Sequence, residues 1–204
     1  MILSLLTLDL RSPSVRQSLQ NCQDLHRSIM KAFDTSRCDA KVLYRIVRSD
    51  RNIAVYVQSI ADPRWERIEA NGFHCEKKKD ISRLPESFHA GQALGFSLFG
   101  CPAKKIAGEG KNSRRVILRG EEAQLEWLKR QGEKYGFIIL EAHIAGKGEQ
   151  LSGKKASGSF QITGVPFEGV LKIKDPETFR KGMENGIGAE KAYGFGMLMV
   201  RKVQ

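Results

Sequence analysis

Two side chains in this sequence stand where residue type and setting could do chemistry. His26 lies in Asn21-Cys22-Gln23-Asp24-Leu25-His26-Arg27-Ser28-Ile29-Met30-Lys31-Ala32-Phe33. Its imidazole titrates near neutrality and can serve as acid or base. Read alone, a helical histidine beside an apolar stripe is usually structural or solvent-exposed. Lys191 lies in Gly186-Ile187-Gly188-Ala189-Glu190-Lys191-Ala192-Tyr193-Gly194-Phe195-Gly196, four glycines around one lysine. Such a cluster marks backbone that turns sharply or approaches another group closely. Amides exposed beside a lysine suit a phosphate backbone, although the glycines alone favour a plain turn into a terminal strand. A dinucleotide fingerprint is excluded, because its glycines follow a first strand and open a helix. No GxxxxGK[ST] loop is present either.

Basic residues gather at two further places. Lys104, Lys105, Lys111, Arg114 and Arg115 follow Pro102, and Lys147, Lys154 and Lys155 fall in the Gly/Ser/Lys-rich stretch 145–159. Each set is a candidate phosphate-backbone contact or a solvated charged loop. His74, His89 and His143 have no motif around them, and Cys22, Cys38, Cys75 and Cys101 include no CxxC pair. Structural zinc normally uses close ligand pairs, so no metal site is expected. Scattered cysteines in a chain of 204 residues fit free thiols in a reducing cytoplasm.

These residues must be positioned by a recognisable series of elements. Ile2–Leu10 reads as a core strand. Asp24 is placed to cap a helix through about Phe33, with Leu25, Ile29 and Phe33 at helical spacing. Lys41–Val47 and Ile53–Ser59 alternate as strands around the turn Ser49-Asp50-Arg51-Asn52. Asp62–Ala70 reads as a short helix, and Asn71–Pro85 as loop, linker or inter-domain strand. Beyond Gly91, Ala93–Phe99 and Arg115–Leu118 read as strands, Glu121–Tyr135 as a helix, and Phe137–Ile144 and Phe160–Ile173 as strands. Pro166 should interrupt the last of these or place it on an edge. Asp175 caps a helix from Pro176 to about Glu184, and Gly194–Val200 returns as a strand. Strand, helix, two strands, helix, strand is the split βαβ order. The expected fold is α+β, two tandem ferredoxin-like (RRM-like) βαββαβ domains with antiparallel sheets, over residues 1–88 and 89–204.

Composition sets the partner class. The formal net charge is +11, with 15 basic against 11 acidic groups in residues 1–100 and 19 against 12 in residues 101–204. The excess leans toward the second half and favours a polyanion there. Met1-Ile2-Leu3-Ser4-Leu5-Leu6 lacks the basic flank of a signal peptide, and nothing approaches the roughly 20 apolar residues of a membrane span. A cytoplasmic protein without a membrane partner is expected.

The motif G-I-G-x-x-K-A-x-G-x-G-x-L over Gly186–Leu198 resembles the CasE branch of CRISPR repeat-RNA endoribonucleases, which serves the type I-E Cascade complex. The likeness spans most of the chain. It includes the first strand and His26 helix, Pro-Ala-Lys-Lys within Cys101–Lys105, Glu126-Trp127-Leu128, and Phe167-Glu168-Gly169-Val170-Leu171. It implies metal-independent cleavage of CRISPR precursor RNA beside a repeat hairpin, with product retention in Cascade and no cofactor. The ribose 2′-OH would attack phosphorus, leaving a 2′,3′-cyclic phosphate.

The resemblance makes His26 catalytic and Lys31 a phosphate stabiliser. Five helical residues nonetheless set those two about 140° apart, and Arg27 shares the Lys31 face. It also makes Arg27, Lys104, Lys105, Lys111, Arg114, Arg115, Lys154, Lys155, Gly186, Gly188, Lys191, Gly194 and Gly196 the RNA-binding set. Where some members carry a tyrosine three residues before the histidine, this chain has Gln23. Glutamine cannot act as a base, which leaves the base unassigned and keeps a non-catalytic RNA-binding subunit as the alternative. An unrelated ferredoxin-like protein is the third reading, since that fold hosts many activities.

Overall fold

A computed structural model describes residues 1–49, 52–107 and 113–203. The first half runs β1 (Ile2–Leu8), α1 (Pro13–Gln20), α2 (Cys22–Met30), β2 (Leu43–Arg48), β3 (Ile53–Ser59), α3 (Glu66–Glu69) and β4 (Phe73–Asp80). The strands form one antiparallel sheet in the order β2-β3-β1-β4. Two helices occupy the crossover where one was expected. Ser12 caps α1, with Pro13 in its first turn, where the missing N–H costs nothing. Helix α2 begins at Cys22, three residues before the expected start, because Asn21 rather than Asp24 is the cap and its Oδ1 accepts from the Gln23 amide at 3.1 Å. Asp24 instead accepts from Asn21 Nδ2 at 2.9 Å. Strand β4 fills most of the segment expected to be irregular. Phe73 is its one fully buried side chain, while Lys77, Lys78 and Lys79 face solvent along a sheet edge that such charges protect from pairing. Asp50 and Arg51, at the expected turn, lie outside the described residues.

The second half runs β5 (Ala93–Gly100), β6 (Ala103–Ala107), β7 (Ser113–Ile117), α4 (Glu121–Lys134), β8 (Phe137–Ile144), β9 (Glu149–Lys155), β10 (Gly158–Ile173), α5 (Pro176–Asn185) and β11 (Leu198–Lys202). Its main sheet has the order β11-β5-β10-β8. Numbering the four strands of each unit along the chain, both sheets read 4-1-3-2, the ferredoxin-like arrangement. Two hairpins are added to this frame. The β6–β7 pair stands apart as its own two-stranded sheet, so the expected strand at Arg115–Leu118 belongs to an insertion. Stretch 145–159, read from sequence as a flexible loop, contains β9, which pairs with the Gly158–Gly164 part of β10. The expected last strand starts only at Leu198, after a 3₁₀ turn at Lys191–Tyr193.

Strand β10 continues through Pro166, which pairs with Phe99 of β5. The Pro166 carbonyl accepts from Ala145 at 2.8 Å, on the side where β8 pairing has ended at Phe167↔Ile144. A residue's N–H and C=O point the same way in an extended strand. The missing proline donor therefore falls at the end of that ladder, where the strand forgoes only the bond reciprocal to Ala145.

Each sheet buries one face under its helices. Leu6, Val15, Leu25, Ile29, Val55, Val57 and Phe73 form the first core, and Leu98, Trp127, Leu128, Phe167, Leu171 and Phe179 the second. A third cluster joins the halves: Cys22 of α2, Cys101, Ile162 of β10, Tyr193 and Phe195. Phe195 is fully buried and stacks on Phe99 at 4.9 Å, and burying such a ring stabilises by about 1.5–3 kcal/mol. Three polar contacts cross the same junction. Tyr44 donates to the Ala192 carbonyl at 2.8 Å, Gln58 Nε2 to the Met183 carbonyl at 2.8 Å, and Lys41 pairs with Glu184 at 2.7 Å.

Candidate active site

His26, Gln23, Lys155 and Tyr193 meet where α2, the β9–β10 hairpin and the glycine-rich loop converge. Asn21 makes the first connection. Its Oδ1 accepts the Gln23 amide of α2 and also the Lys154 amide of β9, each at 3.1 Å. One side chain thus caps the helix and ties it to the hairpin. Gln23 and His26 are three residues apart on that helix, hence on one face.

The glycine-rich loop presents Tyr193 to this face. Gly194 has φ +91, and a Cβ there would lie 3.2 Å from the Tyr44 ring. Gly196 has φ +83, and its Cβ would lie 2.5 Å from the Ile187 carbonyl, so only glycine fits. Gly186 and Gly188 pack against Leu43 and Trp127. Two loop amides are committed internally: Gly186 N–H donates to the Gly182 carbonyl and Gly196 N–H to the Phe99 carbonyl. These two glycines shape the loop rather than offer free donors.

Tyr193 donates its hydroxyl proton to Gln23 Oε1 at 2.9 Å. Its ring meets His26 edge-on at 6.3 Å and lies 5.2 Å from Phe160. The Lys155 ammonium sits 5.0 Å from the Phe160 centroid and 5.6 Å from that of Tyr193, within cation–π range of both. The adjacent Tyr193 phenol raises the Lys155 pKa.

His26 is half-buried, and its Nδ1 is buried without a hydrogen-bond partner among the described residues. Burial, then the charges of Arg37, Arg27 and Lys155, hold its pKa below 6.5. The imidazole is therefore neutral at pH 7. Lys191 is also pushed below its ordinary value, by burial first and then by Arg37 and Lys134. Arg37 is thus shared by the two candidate groups. It lies between α2 and β2, where its Nη1 donates to the Val42 carbonyl at 3.2 Å.

The remaining sequence candidates divide by location. Arg27 is exposed and pairs with Asp24 at 3.3 Å. Lys31 continues the helical spiral as the C-cap of α2 with φ −61 and ψ −23. It is exposed and stays about 140° around from His26, so the structure does not bring the two together. Lys104 is exposed on β6, Lys105 and Arg114 occupy the β6–β7 pair, and Lys111 lies outside the described residues. Arg115 pairs with Glu190 at 2.7 Å, tying that hairpin to the glycine loop. Lys147 and Lys154 are exposed, as are His74, His89 and His143. Sequence reading missed Arg37 and Tyr193. Tyr193 stood inside the glycine motif and offered a signal as its one hydroxyl-bearing ring; Arg37 offered none.

A family model described as CRISPR associated protein matches residues 1–202. The CRISPR-associated endoribonuclease Cse3 of Thermus thermophilus is 30% identical over 220 residues, covering 98% of this chain and 99% of that protein. The structure of Thermus thermophilus Cse3 bound to an RNA representing a pre-cleavage complex superposes with a TM-score of 0.85 at 28% identity, covering 98% of this chain and 100% of that one. The CRISPR system Cascade subunit CasE of Escherichia coli is 33% identical over 96 residues, 47% of each chain.

Proposed function

The chain belongs to the CRISPR-associated protein family, and we propose that it is a metal-independent endoribonuclease that cuts CRISPR precursor RNA beside the repeat hairpin and keeps the processed guide RNA as a Cascade subunit. The observation that carries this reading is the position of His26, half-buried where α2, Tyr193 and the β9–β10 hairpin meet, with Nδ1 unpartnered among the described residues. Burial and the charges of Arg37, Arg27 and Lys155 favour its neutral form. A neutral imidazole is ready to accept a proton. His26 takes the proton of the ribose 2′-OH as that oxygen bonds to phosphorus. The bond to the 5′ oxygen breaks and that oxygen takes a proton from solvent water, leaving a 2′,3′-cyclic phosphate and a 5′-hydroxyl. The flanking cations meet the negative charge that builds on the phosphorane oxygens. Lys155 rather than Lys31 supplies the lysine of this set, because its charge reaches His26 from the hairpin side.

Residues 1–88 carry the catalytic helix, and residues 89–204 bind RNA through the β9–β10 hairpin, the β6–β7 hairpin and Lys191. The four cysteines are free thiols, which supports a cytoplasmic location, and no described helix is long and apolar enough to cross a membrane. The test is to incubate the protein with repeat RNA in EDTA and identify the ends. One discrete cut bearing a 2′,3′-cyclic phosphate is expected. A 3′-hydroxyl product, or cleavage abolished by the chelator, would overturn the mechanism.

A further inference from the structure

Gln23 and Tyr193 are the two members of the His26 cluster without a role in the mechanism above. The Gln23 side-chain oxygen is occupied, because it accepts the Tyr193 hydroxyl proton at 2.9 Å. That contact fixes the amide plane. The Nε2 group then points away from Tyr193, has no partner among the described residues, and is not among their buried unpaired atoms. Two N–H donors are left open to solvent one helical turn from His26, on the same face of α2. The contact also has direction. The Gln23 side-chain oxygen has no proton to give, so the Tyr193 hydroxyl supplies it. With its oxygen engaged by Tyr193, the glutamine turns its N–H groups to the site, and what these can donate to beside a proton acceptor is an anionic oxygen.

Resting on the nuclease reading above, we propose that Gln23 is a phosphate-binding catalytic residue: its amide, oriented by Tyr193, donates to a non-bridging oxygen of the scissile phosphate. Tyr193 acts through Gln23 and is a positioning residue. A fixed neutral donor aimed at oxygens that gain charge strengthens as the phosphorane forms. It also adds no further positive charge beside His26, which three cations already hold low.

The test compares single-turnover cleavage of repeat RNA by the wild type, Gln23→Leu, Tyr193→Phe and His26→Ala. Substrates carry either oxygen or one of the two phosphorothioate diastereomers at the cut. Sulfur accepts hydrogen bonds poorly, so the diastereomer that replaces the contacted oxygen slows the wild type. Gln23→Leu should cut the all-oxygen substrate about 10²-fold more slowly, no longer distinguish the diastereomers, and bind the hairpin with unchanged affinity. Tyr193→Phe keeps the ring packing and should lose about tenfold in rate, with diastereomer discrimination reduced. Gln23→Leu cutting at the wild-type rate, or discriminating as the wild type does, overturns the proposal. If His26→Ala is inactive in that same experiment, the nuclease reading stands without it. A wild type that cuts none of these substrates overturns both.

Discussion

His26 illustrates how one residue acquires a function from what surrounds it rather than from its own type. Its Nδ1 has no partner among the described residues, and burial together with three cations favours the uncharged ring. The sign of the resulting pH dependence follows. A pKa held below 6.5 keeps the proton-accepting form dominant at neutrality, and activity is lost as pH falls through that lowered value. We expect kcat/KM to rise with pH through a midpoint below 6.5 and to level off by pH 7; kcat/KM reports the free enzyme, to which the shift belongs. A midpoint above 6.5, or a rate that falls with rising pH across it, contradicts the base assignment. His26 was legible in the sequence only through the family resemblance, since a helical histidine carries no signal of its own. Arg37 was not legible at all. It reaches the site from a loop by tertiary folding, and no spacing rule connects it to His26 or Lys191.

At the scale of elements, the strongly patterned pieces were readable and the weakly patterned ones were not. Helix α5 is capped by Asp175 with Pro176 in its first turn, as its residues predict. Strand β4 escaped because Phe73 is its one fully buried side chain, and β9 because Gly, Ser and Lys dominate it. Both are strands by virtue of the neighbours they pair with, β1 and β10. Helix α1 was announced by Ser12-Pro13 and overlooked, an error of reading rather than a lack of signal. The joint between α2 and β9 is where element placement becomes function, and Asn21 holds it through two accepted amides. Asn21→Ala removes a helix cap, typically worth about 1 kcal/mol of stability, and frees the hairpin as well. Thermal unfolding should show a lowered Tm, and cleavage by the folded variant should slow more than hairpin binding weakens. A wild-type Tm together with a wild-type rate would refute the joint.

The whole molecule is two sheets of the same 4-1-3-2 order that share a third core, and the candidate site lies on that junction. Neither half holds it alone: α2 comes from the first, and Tyr193 and Lys155 come from the second. The sequence disclosed the pair of ferredoxin-like units but not their docking, because the contacts that make it, such as Tyr44 to Ala192 and Gln58 to Met183, are isolated polar residues within otherwise ordinary strands and turns. The charge of +11 acts at this scale too. Lys154 and Lys155 are exposed on one hairpin. Replacing both with alanine should weaken RNA binding and flatten its logarithmic dependence on salt by about one to two units. An unchanged salt slope would remove that hairpin from the RNA interface.

The most direct test of His26 as the proton-transfer group measures hairpin affinity and single-turnover cleavage on one preparation of His26→Ala. The variant should bind repeat RNA with a Kd within about twofold of wild type while its cleavage rate falls by about 10²–10⁴. Cleavage retained at the wild-type rate would contradict the central claim, and the chemistry would have to lie elsewhere in the molecule.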